Sequence, residues 1–336
     1  MKLKNTIYSL FGKILANEFS INFLSNYLKQ DLTIIYYHGI GNDTKPCNKL
    51  IQSNTPVDLF VKQLRFFKKH YNIVSIDDAL EAFCTSSPIA NALVVTFDDG
   101  LRECYEVAAP ILLNERIPAT FFLINDCIDN KHLMWFNCLS AIGYFFPKHN
   151  WEECLQYISD TYQIVPIRNL PLHIWAQLWP MHEKENILTI ICNEVSFNAE
   201  EYLQNFRPYM STHQIQSLIK DGFTVGAHSK THPLLSKLNP NDLINELVGS
   251  SADICRRFKL ENVCFSFPCG DRPNSEETKK LFLSNSFIKA LLGINGISYW
   301  GNDLYSLERV ASTKKLQLLK FDLFIKPFLK KYLTKL

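Results

Sequence analysis

VVTFDDGLREC, Val94 to Cys104, is the stretch on which the fold turns. An apolar run of strand length stops abruptly on Asp98-Asp99-Gly100. Two adjacent carboxylates at the end of a buried strand lose hydration and repel each other unless something nearby neutralises them. One reading makes an aspartate the cap of a following helix and Gly100 its turn. The other makes the doublet a working pair of acids, and the rest of the chain has to decide between them.

Outward from this stretch the chain alternates short apolar runs with helical patterns. Upstream lie LTIIYY (Leu32–Tyr37), the helical PVDLFVKQLRFFKKH, NIVSI and the helical start DDALEAF. ALVVTF leads into the doublet, followed by helix EVAAPILLNE and strand PATFFLI. The rhythm blurs from about 126 to 206, where helical spacing dominates, and this stretch reads as an insertion. It then returns with THQIQSLIKDG, FTVGA, NPNDLINELVGSSADICRRF, VCFSF, SEETKKLFLSN, IKALL and LYSLERV. Strands alternating with helices of ten or more residues argue for an α/β fold built of parallel βαβ units.

Four of the apolar runs end on residues capable of chemistry. TIIYY ends at His38-Gly39, VVTF at the aspartates, FTVGA at His228, and CFSF at Pro268-Cys269-Gly270. In a barrel of parallel strands all carboxyl ends share one face, where active sites sit, so these residues converge. HSKTH sets His228 and His232 four apart, a spacing that on a helical turn puts both imidazoles on one face. Two imidazoles and one carboxylate leave open positions on a metal, the arrangement of a catalytic site. The metal then neutralises one aspartate, and the other stays free as a base for water.

TFDDG, HSKTHP, FSFPCG and YYHGI together resemble the polysaccharide deacetylase family, the NodB-homology group of carbohydrate esterases, from about Leu32 to Val310 outside the insertion. The resemblance implies a distorted (β/α)7 barrel and metal-dependent removal of an acetyl group from an N-acetylated sugar. It implies Asp98 as general base and Asp99, His228 and His232 as metal ligands, with Thr231 orienting a ligand. The ion implied is zinc, with cobalt, nickel and manganese also suited to this donor set. Pro268, Cys269 and Gly270 stand at the oxyanion and substrate position, where Cys269 replaces a tyrosine and offers its backbone N–H. Many members carry an arginine where this chain has Ser266, and Arg309 is the candidate replacement. No histidine follows His232, so the usual acid near the carboxyl terminus is missing. In a circularly permuted branch of the family that strand lies at the amino end as Y-H-x-I, which makes His38 of YHGI the candidate acid. Removal of an N-formyl or O-acetyl group, and a glycan-binding relative without catalysis, remain open beside N-deacetylation.

The remaining features bound the context. Hydrophobic residues are 47% and charged residues 20% of 336, enough for a sizeable core, and a net charge of +2 gives no reason to expect nucleic acid. Ten cysteines without a CxxC pair read as reduced thiols. With no secretory signal or ~18-residue apolar run, the expectation is a cytoplasmic protein, at most peripheral at the inner face of the membrane. The expected units are a helical lead-in over 1–30, a barrel over 31–311 and a basic tail over 312–336. That tail has seven lysines against one aspartate, with phenylalanines between, and reads either as a membrane-surface segment or as a helix packed on the barrel. Trp135, Trp151, Trp175 and Trp179 read as core or as platforms for sugar rings. The expected partner is an N-acetylated sugar that is lipid-linked, nucleotide-linked or part of an oligosaccharide.

Overall fold

The computed structural model describes residues 31–165, 171–312 and 315–327, so the expected lead-in over 1–30 lies outside the described residues. The strands, in chain order, are β1 (Asp31–Tyr37), β2 (Asn72–Ile73), β3 (Ala92–Phe97), β4 (Ala119–Leu123), β5 (Thr224–Ala227), β6 (Val263–Ser266), β7 (Ile288–Leu292), β8 (Ser298–Tyr299) and β9 (Val310–Ala311). Helices of seven residues or more are α1 (Val57–His70), α2 (Ile76–Cys84), α3 (Ala109–Glu115), α4 (Trp135–Phe145), α5 (Glu152–Tyr162), α6 (Lys184–Glu194), α7 (Ala199–Phe206), α8 (Thr212–Lys220), α9 (Ser250–Phe258) and α10 (Ser275–Leu283). Capping boxes fix the starts of α2 (Ser75 with Asp78) and α8 (Ser211 with Gln214), each satisfying donors that a helix start leaves free.

Strands run β7-β6-β5-β4-β3-β1-β8, with β9 also paired to β1. Every pairing is parallel except β1 with β8, which is antiparallel and departs from the all-parallel expectation. The barrel closes through the segment before β9. Leu307 bridges to Leu292 at the end of β7, and Val310 pairs with Ile35 of β1.

Side chains alternate along each strand, and here the alternation places the site. Leu93, Val95 and Phe97 face the helices, with Phe97 stacked between Tyr37 and Phe121 at 5.4 and 4.9 Å. Ala92 and Val94 face the other way, into a cluster with Leu32, Ile34, Phe122, Cys264, Ala290 and Leu292 that fills the barrel. Thr96 and then Asp98 continue that inner row. By the same parity Tyr36 and His38 follow Ile34, and Ser266 follows Cys264. Gly226 abuts Phe122 so closely that a Cβ would lie 2.5 Å from the ring, and His228 follows it. The polar exceptions therefore occupy one layer at one end of the barrel.

Within 125–206 the regular elements are helical. Trp135, Trp175 and Trp179 are buried in their common core, so they are not platforms for sugar rings; Trp151 is half-buried beside His149. Of the tail, residues 315–327 are described. Phe321, Leu323, Phe324 and Ile325 are buried, and Phe324 packs against Phe66 of α1 and Tyr71. The described apolar face of the tail is thus taken up by the barrel rather than presented to a membrane. No described helix is long and apolar enough to cross a membrane.

Candidate active site

The doublet sits in a turn and caps nothing. Asp98 N–H donates to Tyr37 O at 2.9 Å, extending the β1–β3 ladder by one residue. Asp99 and Gly100 then take φ of 71° and 65°. Aspartate tolerates the left-handed region and glycine enters it freely, so the motif matches the backbone it has to make. The next helix starts at Arg102, and neither aspartate accepts a hydrogen bond from its first turn among the described residues.

Asp98 is buried, and its carboxylate lies in a fork of Arg309, with Nη1–Oδ1 at 2.8 Å and Nη2–Oδ2 at 2.7 Å. Arg309 is fully buried and its remaining donors are taken: Nε by Gly293 O, Nη1 also by Thr96 Oγ1, and Nη2 also by Ser266 Oγ at 2.6 Å. The guanidinium also lies over Tyr36 and Phe122, at 4.8 and 5.4 Å from the ring centres. Ser266 is short enough to leave the space this guanidinium fills. Burial alone raises the Asp98 carboxyl, but Arg309, with His228 and His38, holds it below the usual carboxylate range.

Asp99 faces the two histidines. Its Oδ1 lies 3.5 Å from His228 Nε2 and 3.6 Å from His232 Nε2, and the three potential ligand atoms lie within 4.8 Å of one another. The histidines do not share a helical turn, contrary to the spacing argument. They sit on an irregular loop in which Ser229 and His232 have φ of 63° and 58°, and this doubling-back brings the rings to 4.9 Å. His228 Nδ1 lies 2.8 Å from Ser266 O, which can only accept, so Nδ1 carries the hydrogen and a neutral His228 turns a bare Nε2 toward Asp99. The approach of His228 Nε2 to a carboxylate oxygen calls for a proton or a metal cation between them. Asp99 Oδ1 is buried with no hydrogen-bond partner among the described residues, which fits the same requirement.

The charged groups of the site act on one another. Burial raises Asp99, yet His38, His228 and His232 hold its carboxyl low. Burial lowers His228, but Asp98 and Asp99 outweigh it and raise the imidazole. His232 is pushed down to about 4, by burial first and then by His228. A neutral His232 is in the form a metal ligand needs.

His38 is partly exposed at the end of β1, with Nε2 3.8 Å from Asp99 Oδ2. Cys269 opens to the same cavity with φ of 54°, and Gly270 follows at 67°, so close to Ile294 that no Cβ fits. Pro268 is buried behind them. This cavity, of about 180 Å³, also meets Asp98, Asp99, His228 and His232. A larger one of about 800 Å³ lies between 102–131 and 200–214, away from all of these groups.

Thr231 does not touch a ligand. Its hydroxyl donates to Glu246 at 2.6 Å, and the same carboxylate accepts the N–H groups of Lys230 and Thr231. Glu246 therefore pins the histidine loop from the helical stretch that leads into α9, while Trp135 Nε1 donates to His232 O at 2.7 Å from the insertion. Neither residue carries a sequence motif. Glu246 reads as an ordinary helix position, and only its rare burial as an acid marks it.

Fold and site together define a class: an α/β barrel whose strand ends gather two histidines and an aspartate beside a buried Asp–Arg pair. The family model for polysaccharide deacetylase matches residues 86–166. Solved structures share the fold. Streptococcus pyogenes deacetylase PplD, in complex with acetate, superposes with a TM-score of 0.57 at 16% identity, covering 88% of this chain and 99% of that one. The de-N-acetylase from Aggregatibacter actinomycetemcomitans gives 0.53 at 16% identity, over 86% and 99%. IcaB from Ammonifex degensii gives 0.53 at 15% identity, over 84% and 92%. No curated protein matches the sequence.

Proposed function

We propose that the protein is a divalent-metal-dependent carbohydrate deacetylase that hydrolyses the N-acetyl group of an amino sugar in polysaccharide or glycolipid synthesis. The observation that carries this is the joint placement of the Asp99–His228–His232 cluster and the Arg309-held Asp98 in one cavity. Asp99, His228 and His232 would hold the ion, zinc first among those suited. Such an ion supplies Lewis-acid polarisation of the acyl group and acidifies water.

The chain's own residues account for the remaining roles. Asp98 stays ionised and, fixed by the guanidinium, accepts the proton of the attacking water at its carboxylate. The Cys269 N–H donates to the oxyanion that forms at the acyl carbon. His38, on the edge of the cavity, hands a proton from its imidazole to the departing amine. The place of β1 between β3 and β9 supports reading YHGI as the permuted form of the strand that carries this acid. The ten free cysteines favour a reducing compartment.

The test is acetate release by purified, zinc-loaded protein from a lipid-linked, a nucleotide-linked and an oligomeric N-acetylhexosamine, with N-formyl and O-acetyl analogues alongside. Release of acetate, lost about 10²–10⁴-fold in Asp98→Asn while metal content holds, supports the assignment. Activity on the formyl or ester analogue alone changes the acyl group. Silence on every substrate with metal bound overturns the reading as an enzyme.

A further inference from the structure

The barrel motifs do not account for one buried polar group that borders the cavity. Asn48, on the short turn Pro46–Lys49, is 5% exposed and lines the cavity, and its Nδ2 has no hydrogen-bond partner among the described residues. A buried donor left unmet is rare enough to require an explanation.

The direction of the surrounding network is set by a backbone group. Met134 N–H donates to the Tyr209 hydroxyl at 3.1 Å, so the hydroxyl hydrogen is free to go to Asn137 Oδ1, 2.5 Å away. With its oxygen engaged, Asn137 turns its amide nitrogen outward and donates to Cys47 O at 3.0 Å and to Asn48 Oδ1 at 2.5 Å. Asn48 thus has its oxygen committed and its nitrogen unmatched. The amide cannot flip without setting its nitrogen against the Asn137 nitrogen. Asn137 belongs to α4, so the insertion orients a residue outside itself. Among the described residues the cavity lining has no lysine or arginine; its other polar members include Gln52, His173 and Gln177.

We infer that Asn48 is a substrate-binding residue, its Nδ2 donating to a hydroxyl oxygen of an uncharged sugar ring, with Tyr209 and Asn137 as positioning residues. This rests on the proposed deacetylase reading and narrows its substrate to a neutral acylated sugar unit. A cavity of about 180 Å³ with no lysine or arginine in its described lining suits one such unit better than a nucleotide diphosphate. The amide nitrogen meets an acceptor when that unit enters.

The experiment compares wild type with Asn48→Asp on the best substrate and on its monodeoxy analogues. Aspartate keeps an oxygen for Asn137 and presents a second oxygen where the donor stood. KM is expected to rise about tenfold in the variant with kcat within twofold, and with zinc content and Tm as in wild type. One monodeoxy sugar should lose three- to tenfold in kcat/KM with wild type and nothing further with Asn48→Asp. Asn48→Ser, which restores a donor, should recover part of the loss. Unchanged KM in an active Asn48→Asp enzyme, or equal deoxy penalties in both proteins, overturns the inference. A wild type inactive on every acyl sugar instead overturns the deacetylase reading itself.

Discussion

Replacing Arg309 with methionine isolates the interaction on which the candidate base depends. The change keeps much of the apolar volume between Tyr36 and Phe122 but removes the fork on Asp98 and the donors to Gly293 O, Thr96 Oγ1 and Ser266 Oγ. Removing one member of a fully buried ion pair costs about 3–5 kcal/mol, because the remaining charge has neither partner nor water. In the wild type the folded Asp98 carboxyl titrates below its unfolded value of about 3.9. The pair's stability is therefore present above about pH 4 and lost as pH falls through the lower, folded pKa.

Without the guanidinium, burial dominates and the carboxyl rises above 3.9. Part of the loss at pH 7 is then the cost of keeping that stranded carboxyl ionised. The deficit relative to wild type should therefore shrink as pH is lowered from 7 to 4. Chemical denaturation across that range measures it directly. Asp98→Asn in the Arg309→Met background should recover about 2 kcal/mol, since it removes the stranded charge. A deficit under 1 kcal/mol, or one independent of pH, refutes the assignment of Arg309 as the counter-ion of the base.

Three further outcomes follow from the site. Dialysis against a chelator should abolish activity, and restoring zinc at about a hundredfold its Kd should raise Tm by about 5 °C, read by differential scanning fluorimetry; unchanged Tm argues against Asp99, His228 and His232 as ligands. Glu246→Ala frees the N–H groups of Lys230 and Thr231 together with the threonine hydroxyl. It should cost about 3 kcal/mol in denaturation and weaken zinc binding ten- to a hundredfold by titration calorimetry. Cys269→Ala keeps the backbone N–H and should leave kcat within about threefold in the acetate assay; a loss beyond a hundredfold means that the thiol itself takes part.

How much of this was legible in sequence differs from residue to residue. The apolar runs, the strand–helix rhythm and the polar residues that end four strands are local properties, since each depends on neighbours within a few positions. Asp98, Asp99, His228 and His232 could be named because chemistry confines such residue types at strand ends to few purposes. The path of the histidine loop was not legible, since its two left-handed residues, Ser229 and His232, are neither glycine nor asparagine. The antiparallel β8 and the closure through Leu307 depend on pairings far apart in the chain.

The sequence by itself determined the class of fold and the donor set, because hydrophobic period and residue chemistry are written along the chain. Only the tertiary structure shows that Arg309, already a candidate from the motifs, forks Asp98 across 211 positions, that Thr231 donates to Glu246, and that Asn137 donates to Asn48 Oδ1. Those contacts follow from strand register and from how the insertion packs, and neither leaves a periodic trace in the sequence, since each joins residues that share a layer rather than a segment.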